Sequence, residues 1–248
     1  MAVSRVQASE AVRNVSTRIK MSIGSRTMGV PGPEQLARLL AASGIRDSRV
    51  LQAFREIPRA LFCPPEFAQL AYADEVAPIA EGITLSQPFV VAAMLEALRL
   101  RGGERTLDVG CGTGFTTALL CKLAHQVCAL DTDEEIVSAA EDRLSKLQLR
   151  NFAMHRADGW QGWPEQAPFD AILVSAAVPE PPPALLAQLA PGGRLVAPVG
   201  GREGQMLDGR DIVRKTVIRL LQIGQLRGAH IDGQGEYFER LQSHARGL

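Results

Sequence analysis

Net charge and long apolar runs are missing from this sequence, and each absence excludes a class of partner. The 248 residues carry 27 Lys and Arg against 27 Asp and Glu, so the formal net charge is zero. A balanced chain gives no global electrostatic reason to expect nucleic acid as a partner. No segment approaches the roughly 18 consecutive apolar residues of a membrane span, so no membrane partner is expected either.

Cysteine is scarce and unpatterned. The four cysteines form no CxxC pair, and no histidine lies at ligand spacing from them; they are Cys63, Cys111, Cys121 and Cys128. This pattern predicts no metal site and indicates reduced, mostly buried thiols in an intracellular protein. The N-terminal stretch also lacks the apolar region of a secretory signal. We therefore expect a cytoplasmic protein.

Hydrophobic residues make up 46% of the chain, which is enough for a sizeable core in one large domain. We predict a flexible arm over residues 1–33, a helical cap with an active-site turn over 34–104, and a core over 105–248. The segment "EQLARLLAASGIRDSRVLQAFREI" indicates two amphipathic helices, broken at Gly44, with Asp47 capping the second. Pro88 suits the first turn of a further helix that runs to about Leu100.

From Arg105 onward, apolar strands alternate with helical segments. The predicted strands are "RTLDVG", "QVCALD", "NFAMHRAD", "FDAILVSA" and "RLVAPVG". The predicted helices are "FTTALLCKLA", "DEEIVSAAEDRLSKLQL" and "PPALLAQLA", the last one stopped by "PGG". This alternation predicts an α/β fold with a mostly parallel, doubly wound sheet and helices on both faces. Past Gly200 the pattern weakens and favours strand.

The stretch "DVGCGTG" lies at the first strand-to-helix junction of this region. Glycine allows a ligand to approach the backbone, and the following helix N-terminus offers free N–H groups. A dinucleotide fingerprint requires G-x-G-x-x-G, whereas Gly110, Gly112 and Gly114 fall at every second position. Asp108 precedes them, and a carboxylate suits the ammonium of a methionine group better than a pyrophosphate.

Two further acids follow the next two strands. Asp131 ends the second strand, where a carboxylate is placed to bind ribose hydroxyls. Asp158 and Gly159 end the third, where an adenine edge would lie. Alone, the loop is a weak signal and Asp131 could equally cap a helix. Together, the acids and the loop predict a site for S-adenosyl-L-methionine (SAM).

Several motifs carry a resemblance to a known family. They are "IPRALF", "AYADEVAPI", "GITLSQPFVVAAMLEAL", the glycine loop, "DGWQGWP" and "PFDAILVSAAVPEPPPALLAQLAPGGRLVAPVG". The chain resembles the protein-L-isoaspartate (D-aspartate) O-methyltransferases from about Leu36 to Leu207. The resemblance implies a Rossmann-like class I methyltransferase fold, with SAM as cofactor and S-adenosyl-L-homocysteine as its product.

The resemblance also implies a reaction. Family members methylate the α-carboxylate that is exposed when aspartyl or asparaginyl residues of proteins and peptides rearrange to isoaspartate. The ester cyclises to a succinimide, whose hydrolysis returns some normal aspartate. A carboxylate with an ordinary pKa of about 4 is ionised at neutral pH and needs no general base. Catalysis is then mostly a matter of positioning.

The resemblance assigns residues to this site. Ser86, in "TLSQP", is implied as the catalytic residue that orients the acceptor carboxylate, although its hydroxyl could also serve as the N-cap of the next helix. The implied substrate-binding residues are Pro78, Ile79, Ser86 and Val199. The implied cofactor-binding residues are Thr84, Gln87, Asp108, Gly110, Cys111, Gly112, Thr113, Gly114, Asp131, Asp158, Gly159 and Gln205. Trp160 and Trp163 would flank the adenine side, with a packing role open for both.

Two departures from the family pattern bear on the substrate. Glu81 and Ile83 replace small or amide residues, and a carboxylate beside a carboxylate-binding cleft tends to repel the substrate. The tail ends "ERLQSHARGL" without the closing strand of relatives, which would leave an exposed sheet edge or room for a partner chain. Two alternatives remain: a SAM-dependent enzyme for the carboxylate of a small molecule or dedicated peptide, and a non-catalytic SAM-binding protein. The sequence does not give the oligomeric state.

Overall fold

Helices and strands alternate along most of the chain. The computed structural model describes residues 32–80, 83–176, 182–199 and 217–222. The α-helices in these residues are α1 Pro33–Ala42, α2 Ser48–Glu56, α3 Pro88–Leu98, α4 Phe115–Leu123, α5 Glu134–Lys146 and α6 Pro183–Ala187. The strands are β1 Ala77–Ala80, β2 Ile83–Leu85, β3 Arg105–Val109, β4 Gln126–Asp131, β5 Phe152–Arg156, β6 Phe169–Val174, β7 Leu189–Val199 and β8 Val217–Gln222. Short 3-10 turns span Arg59–Phe62, Pro65–Leu70 and Pro164–Gln166.

The main sheet has the strand order β5-β4-β3-β6-β7-β8, and β1 and β2 form a separate antiparallel pair. Strands β3 to β7 are mutually parallel, and β8 is antiparallel to β7. The chain moves outward from β3 to β5 and then returns to the other side of β3. In such sheets a ligand crevice opens at the carboxyl ends of the strands where the order reverses. The predicted α/β fold and the five predicted parallel strands are confirmed.

The sheet has an apolar layer on each face. On one face, α3 packs on β6 and β7, which contribute buried residues such as Ala171, Leu173 and Val196, and α4 packs on β3 and β4. Helices α1 and α2 pack in turn on α3 and α4. On the other face, Leu107, Leu130 and Ile172 pack with Leu185 of α6. Burying these side chains supplies the favourable free energy that holds the helices on the sheet.

Two helix starts follow the sequence signals. Asp47 accepts hydrogen bonds from the main-chain N–H of Arg49 (2.8 Å) and Val50 (3.3 Å), which confirms the predicted cap of α2. Helix α3 begins at Pro88 as predicted, because a proline at the first position forfeits no intrahelical hydrogen bond. None of the helices within the described ranges has the length and apolar character needed to cross a bilayer.

The last part of the core differs from the predicted pattern. Helix α6 ends at Ala187 and β7 already begins at Leu189, before the "PGG" that was predicted to stop the helix. The main-chain carbonyl of Gln188 accepts the N–H of Phe169 at 2.9 Å, so pairing with β6 competes successfully with another helical turn. The weak strand signal past Gly200 corresponds to β8, which pairs with β7 from Arg194↔Gln222 to Val199↔Val217. Of the predicted arm over residues 1–33, residues 1–31 lie outside the described residues, as does the tail from residue 223, and Pro33 begins α1.

Candidate cofactor and acceptor site

The glycine loop wraps over the carboxyl end of β4. The main-chain N–H groups of Gly110 and Cys111 both donate to the carbonyl of Leu130 at 2.9 Å. Gly112 N–H donates to Oδ2 of Asp131 at 2.9 Å. These bonds bring the loop and Asp131 together at the carboxyl edge of the sheet.

The three glycines of the loop have positive φ angles, +81° at Gly110, +52° at Gly112 and +88° at Gly114. A Cβ on Gly114 would lie 2.8 Å from Cδ1 of Leu144, so this glycine lets α5 pack on the loop. A Cβ on Gly112 would meet no described atom within 4 Å. The loop is therefore closed against the protein at Gly114 and open at Gly112, where a ligand could approach the backbone.

Asp108 lies beneath the loop rather than on the surface of the crevice. Its side chain has no exposed area, and its two oxygens accept from Thr117 Oγ1 (2.7 Å) and Ser175 Oγ (2.8 Å). Burial raises the pKa of Asp108 to about 6; the two hydroxyls oppose the rise and the charge of Asp131 adds to it. Asp108 can act on a ligand through its charge and through these hydroxyls. No sequence pattern pointed to Thr117 or Ser175 as its partners.

The other two predicted acids are more accessible. Asp131 is half-buried at the tip of β4 and also accepts the N–H of Thr132 at 2.8 Å. Asp158 is exposed after β5, and one of its oxygens accepts the N–H of Trp160 at 3.0 Å. A carboxylate oxygen can accept two hydrogen bonds, so both side chains retain acceptor capacity for ligand hydroxyl or amine groups.

Gly159 and the two tryptophans lie in the segment that follows β5 at the carboxyl edge of the sheet. A Cβ on Gly159 would lie 2.5 Å from Cγ1 of Val109, so only glycine lets the segment lie this close to β3. Trp160 is 47% exposed. Trp163 is half-buried and stacks on His155 with ring centroids 5.1 Å apart. The packing role left open is therefore seen for Trp163, whereas Trp160 leaves an apolar surface beside Asp158.

The Ser86 turn connects β2 to α3. Gln87, not Ser86, occupies the N-cap position of α3. The hydroxyl of Ser86 has no hydrogen-bond partner among the described residues, whereas its main-chain carbonyl accepts from Nη2 of Arg59 at 3.0 Å. Oε1 of Gln87 is also buried without a partner in the described part of the chain. The turn thus presents uncommitted polar atoms, and the alternative role of Ser86 as the N-cap is not what the structure shows.

The remaining predicted residues lie around this turn or outside the described part. In the β1–β2 pair, Pro78 is opposite Thr84, and both are exposed, while Ile79 is half-buried. Val199 ends β7, where its backbone pairs with β8. Two residues lie outside the described residues: Glu81, which departs from the family pattern, and Gln205, which was predicted to contact the cofactor.

Cys111 and Thr113 complete the loop. Both are buried, and burial raises the pKa of the Cys111 thiol far above its usual range. The carbonyl of Thr113 accepts from Arg143 Nη1 at 3.4 Å, which ties the loop to α5. All four cysteines are free, and the described ranges contain no group of three or more potential metal ligands.

These residues fit an adenosine that carries an amino acid and a positive charge. The open backbone at Gly112 leaves room for the ligand, Asp131 and Asp158 offer acceptors at two strand ends, and the charge of Asp108 lies beneath the loop. Their roles as ligand contacts remain predictions.

Relatives with established names match most of the chain. A protein-L-isoaspartate O-methyltransferase 1 of Anaeromyxobacter sp. (strain Fw109-5) is 53% identical over 171 residues, covering 68% of this chain and 81% of that protein. A protein-L-isoaspartate O-methyltransferase of Myxococcus xanthus (strain DK1622) is 46% identical over 168 residues, covering 68% and 79%.

Two solved structures resemble that of this chain. A protein-L-isoaspartate O-methyltransferase is 28% identical with a TM-score of 0.63; the match covers 77% of this chain and 60% of that one. A beta-aspartate methyltransferase (PCMT) from Plasmodium falciparum, solved with S-adenosyl-L-homocysteine, is 22% identical with a TM-score of 0.61 and supports the fold alone; the match covers 77% and 95%.

The model of one family, protein-L-isoaspartate(D-aspartate) O-methyltransferase (PCMT), matches residues 33–220, which include every described helix and strand except the last two residues of β8. The resemblance in the sequence motifs, the parallel sheet with its glycine loop, and these matches all agree. The chain belongs to the protein-L-isoaspartate(D-aspartate) O-methyltransferase family.

Proposed function

We propose that this protein transfers a methyl group from SAM to the free carboxylate of isoaspartyl residues in damaged proteins and peptides, with Ser86 orienting that carboxylate. The proposal rests on the family and on one observation. Ser86 offers a hydroxyl that no described residue uses, in a turn that Arg59 links to the start of α4, next to the glycine loop.

The cofactor, when bound, supplies an electrophilic methyl group on a sulfonium. An acceptor carboxylate oxygen forms the new C–O bond as the C–S bond breaks, leaving a methyl ester and S-adenosyl-L-homocysteine. The acceptor is already ionised at neutral pH, so no proton has to be removed. This agrees with the site, since no histidine lies in the Ser86 turn or in the glycine loop.

The residues of the chain would divide the work of binding and orienting. Asp131 and Asp158 would hold the ribose and adenine groups, with Gly110 to Gly114 and Gly159 allowing close approach of the backbone. The negative charge of Asp108 would favour the cationic end of the cofactor. Ser86 would donate a hydrogen bond to the acceptor carboxylate and hold it in line with the methyl group.

The acceptor site would lie between the β1–β2 pair and the end of β7. Pro78 and Thr84 are exposed on neighbouring strands, and Ser86 follows directly. We propose Pro78, Ile79 and Val199 as substrate contacts, and Thr84 and Gln87 as residues that help to close the turn over the cofactor. Unpaired cysteines support a cytoplasmic setting, where thiols stay reduced.

The test is methyl transfer from labelled SAM to a short isoaspartyl peptide and to its normal aspartyl twin. We expect base-labile methylation of the isoaspartyl peptide only. Ser86→Ala removes one hydrogen bond to a charged group, worth about 1.5–3 kcal/mol, so kcat/KM should fall roughly 10- to 100-fold. Ser145→Ala, at an exposed position of α5, is the matched control and should behave as the wild type.

Two results would contradict the proposal. Transfer to neither peptide, with SAM still bound, would redirect the search to small-molecule carboxylates or to a non-catalytic role. Equal transfer by Ser86→Ala and the wild type would keep the reaction but remove Ser86 from it.

A further inference from the structure

Arg59 is a charged side chain with no exposed surface. It begins the 3-10 turn Arg59–Phe62, well before the glycine loop in sequence. Burying a guanidinium is costly unless its donors are satisfied by other groups. Its partners therefore indicate which segments the charge holds together.

Four main-chain carbonyls accept from the Arg59 guanidinium. Nη1 donates to Leu70 and Ala71, each at 3.0 Å. Nη2 donates to Glu75 at 3.1 Å and to Ser86 at 3.0 Å. One planar fork thus fixes the segment 70–75 and the Ser86 turn against each other.

The Arg59 guanidinium also lies near the glycine loop. Its Cζ atom is 5.8 Å from the ring centroid of Phe115, the first residue of α4 after that loop. The Phe115 ring is itself held edge-on by Phe54 at 5.7 Å and Phe62 at 5.3 Å. Arg59 therefore lies between the first residue of α4 and the Ser86 turn.

Asp74 adds a second set of contacts to the turn. Its Oδ1 accepts the main-chain N–H of Phe89 at 2.7 Å, and its Oδ2 accepts from Nε2 of Gln87 at 3.1 Å. A carboxylate at the N-terminus of α3 is favoured by the free N–H groups and the helix dipole. Asp74 thus holds the beginning of α3 from the segment that Arg59 also binds.

The surroundings of Arg59 and Asp74 shift the pKa values of both side chains. Burial lowers the pKa of Arg59 to about 10, while Cys63 and Asp74 oppose this, so the guanidinium stays charged at neutral pH. Burial raises the pKa of Asp74, and its hydrogen bonds with Phe89 and Gln87 and the charge of Arg59 oppose the rise.

We propose that Arg59, assisted by Asp74, is the positioning residue that sets the distance and orientation of the Ser86 turn relative to the glycine loop. This inference rests on the proposed function, because it assigns Arg59 to the alignment of acceptor and methyl group. Its fork geometry is the relevant property: lysine would keep the charge but has one nitrogen for four carbonyls.

Arg49 provides a matched control for a structural role. It donates from Nη1 to Leu100 (2.7 Å) and from Nη2 to Leu123 (2.9 Å), both main-chain carbonyls. These acceptors follow or end α3 and α4, at the opposite ends of those helices from the Ser86 turn. Arg49→Lys therefore removes a similar fork without touching the site.

The experiment compares Arg59→Lys, Arg49→Lys and Asp74→Asn in the full chain. It measures kcat and KM for the isoaspartyl peptide, the SAM dissociation constant by calorimetry and Tm. Arg59→Lys should lower kcat on the order of 10- to 100-fold while SAM affinity stays near the wild-type value, since misplacement of reacting groups acts on the chemical step. Arg49→Lys should lower Tm and keep kcat. Asp74→Asn should lower kcat, as Arg59→Lys does, and it tests the inference by itself if Arg59→Lys does not fold.

Hydrogen exchange of residues 84–90 gives a readout that needs no substrate. Arg59→Lys and Asp74→Asn should accelerate exchange there, whereas Arg49→Lys should not. A wild-type protein that methylates no isoaspartyl peptide would refute the proposed function, and hydrogen exchange would still test whether Arg59 and Asp74 hold the Ser86 turn.

Three results would overturn the inference: wild-type kcat in both Arg59→Lys and Asp74→Asn, an equal loss of kcat in Arg49→Lys, or unchanged exchange over residues 84–90.

Discussion

Asp108 is a carboxylate with no exposed surface, hydrogen-bonded by two hydroxyls and close enough to Asp131 to be repelled by its charge. Because these conditions disfavour the ionised form overall, folding takes this group from an ordinary pKa of 3.8 to about 6. A carboxyl whose pKa rises on folding stabilises the protein at low pH and loses that contribution as pH rises through the folded pKa.

We predict that Asp108→Asn removes this pH dependence. Between about pH 4 and pH 6, the wild-type unfolding free energy should fall relative to that of the variant by on the order of 3 kcal/mol, because two pKa units correspond to roughly that amount. The variant should be more stable near neutral pH and similar below pH 4. Urea unfolding of both proteins across this range measures the difference, and a difference that does not vary with pH would contradict the prediction.

The positions of Asp108, Asp131 and Asp158 at or near the ends of successive strands were predictable, because acids at strand ends are a recognisable pattern. Their roles as ligand contacts stay predictions. The burial of Asp108 by Ser175 was not predictable, because those residues are 67 positions apart and meet only across paired strands. The contacts of Arg59 were also missed, because its acceptors are main-chain carbonyls, which leave no trace in the sequence.

The glycine loop shows at the scale of an element how identical residues serve different purposes. All three glycines have positive φ, a backbone conformation that residues with a side chain rarely adopt. Gly114 faces α5, where a Cβ would be 3.0 Å from that of Ala140, whereas Gly112 faces open space. One glycine therefore serves packing, and the other leaves access to the site.

We predict that Gly112→Ala and Gly114→Ala differ in what they damage. Both incur backbone strain of about 1–3 kcal/mol. Gly114→Ala adds a steric conflict with α5 and should give the larger fall in Tm. Gly112→Ala should give the larger loss of SAM affinity for a given fall in Tm. Thermal unfolding and calorimetric SAM titration measure both quantities, and equal ratios of the two losses in the variants would refute the distinction.

Strands were predicted better than the end of the core. The strands β3 to β6 are short, apolar and bounded by turn residues, so periodicity and length were sufficient to find them. The end of α6 was misplaced because hydrogen bonding to β6, which is a tertiary contact, starts β7 before the glycines. Strand β8 was only weakly signalled because "TVIRLLQ" mixes β-branched residues with leucines that also suit a helix.

At the scale of the whole molecule, the described residues between Gly32 and Gln222 belong to one compact unit, and the family match begins at residue 33. We predict that a chain truncated to residues 32–248 keeps the Tm and kcat of the full protein, because the site and its supporting contacts described above all fall within this unit. Thermal unfolding and the isoaspartyl peptide assay on both proteins check this. A clear loss of either quantity would show that residues 1–31 contribute to stability or catalysis.

Both tryptophans of the chain, Trp160 and Trp163, lie in one short segment after β5, beside Asp158. Trp160 has about half of its surface exposed to water, and Trp163 is stacked on His155. The intrinsic fluorescence of the protein is consequently a local spectroscopic signal from this edge of the sheet rather than an average over the molecule. Emission changes on ligand addition report on this segment, without an attached dye and without a substitution in the core.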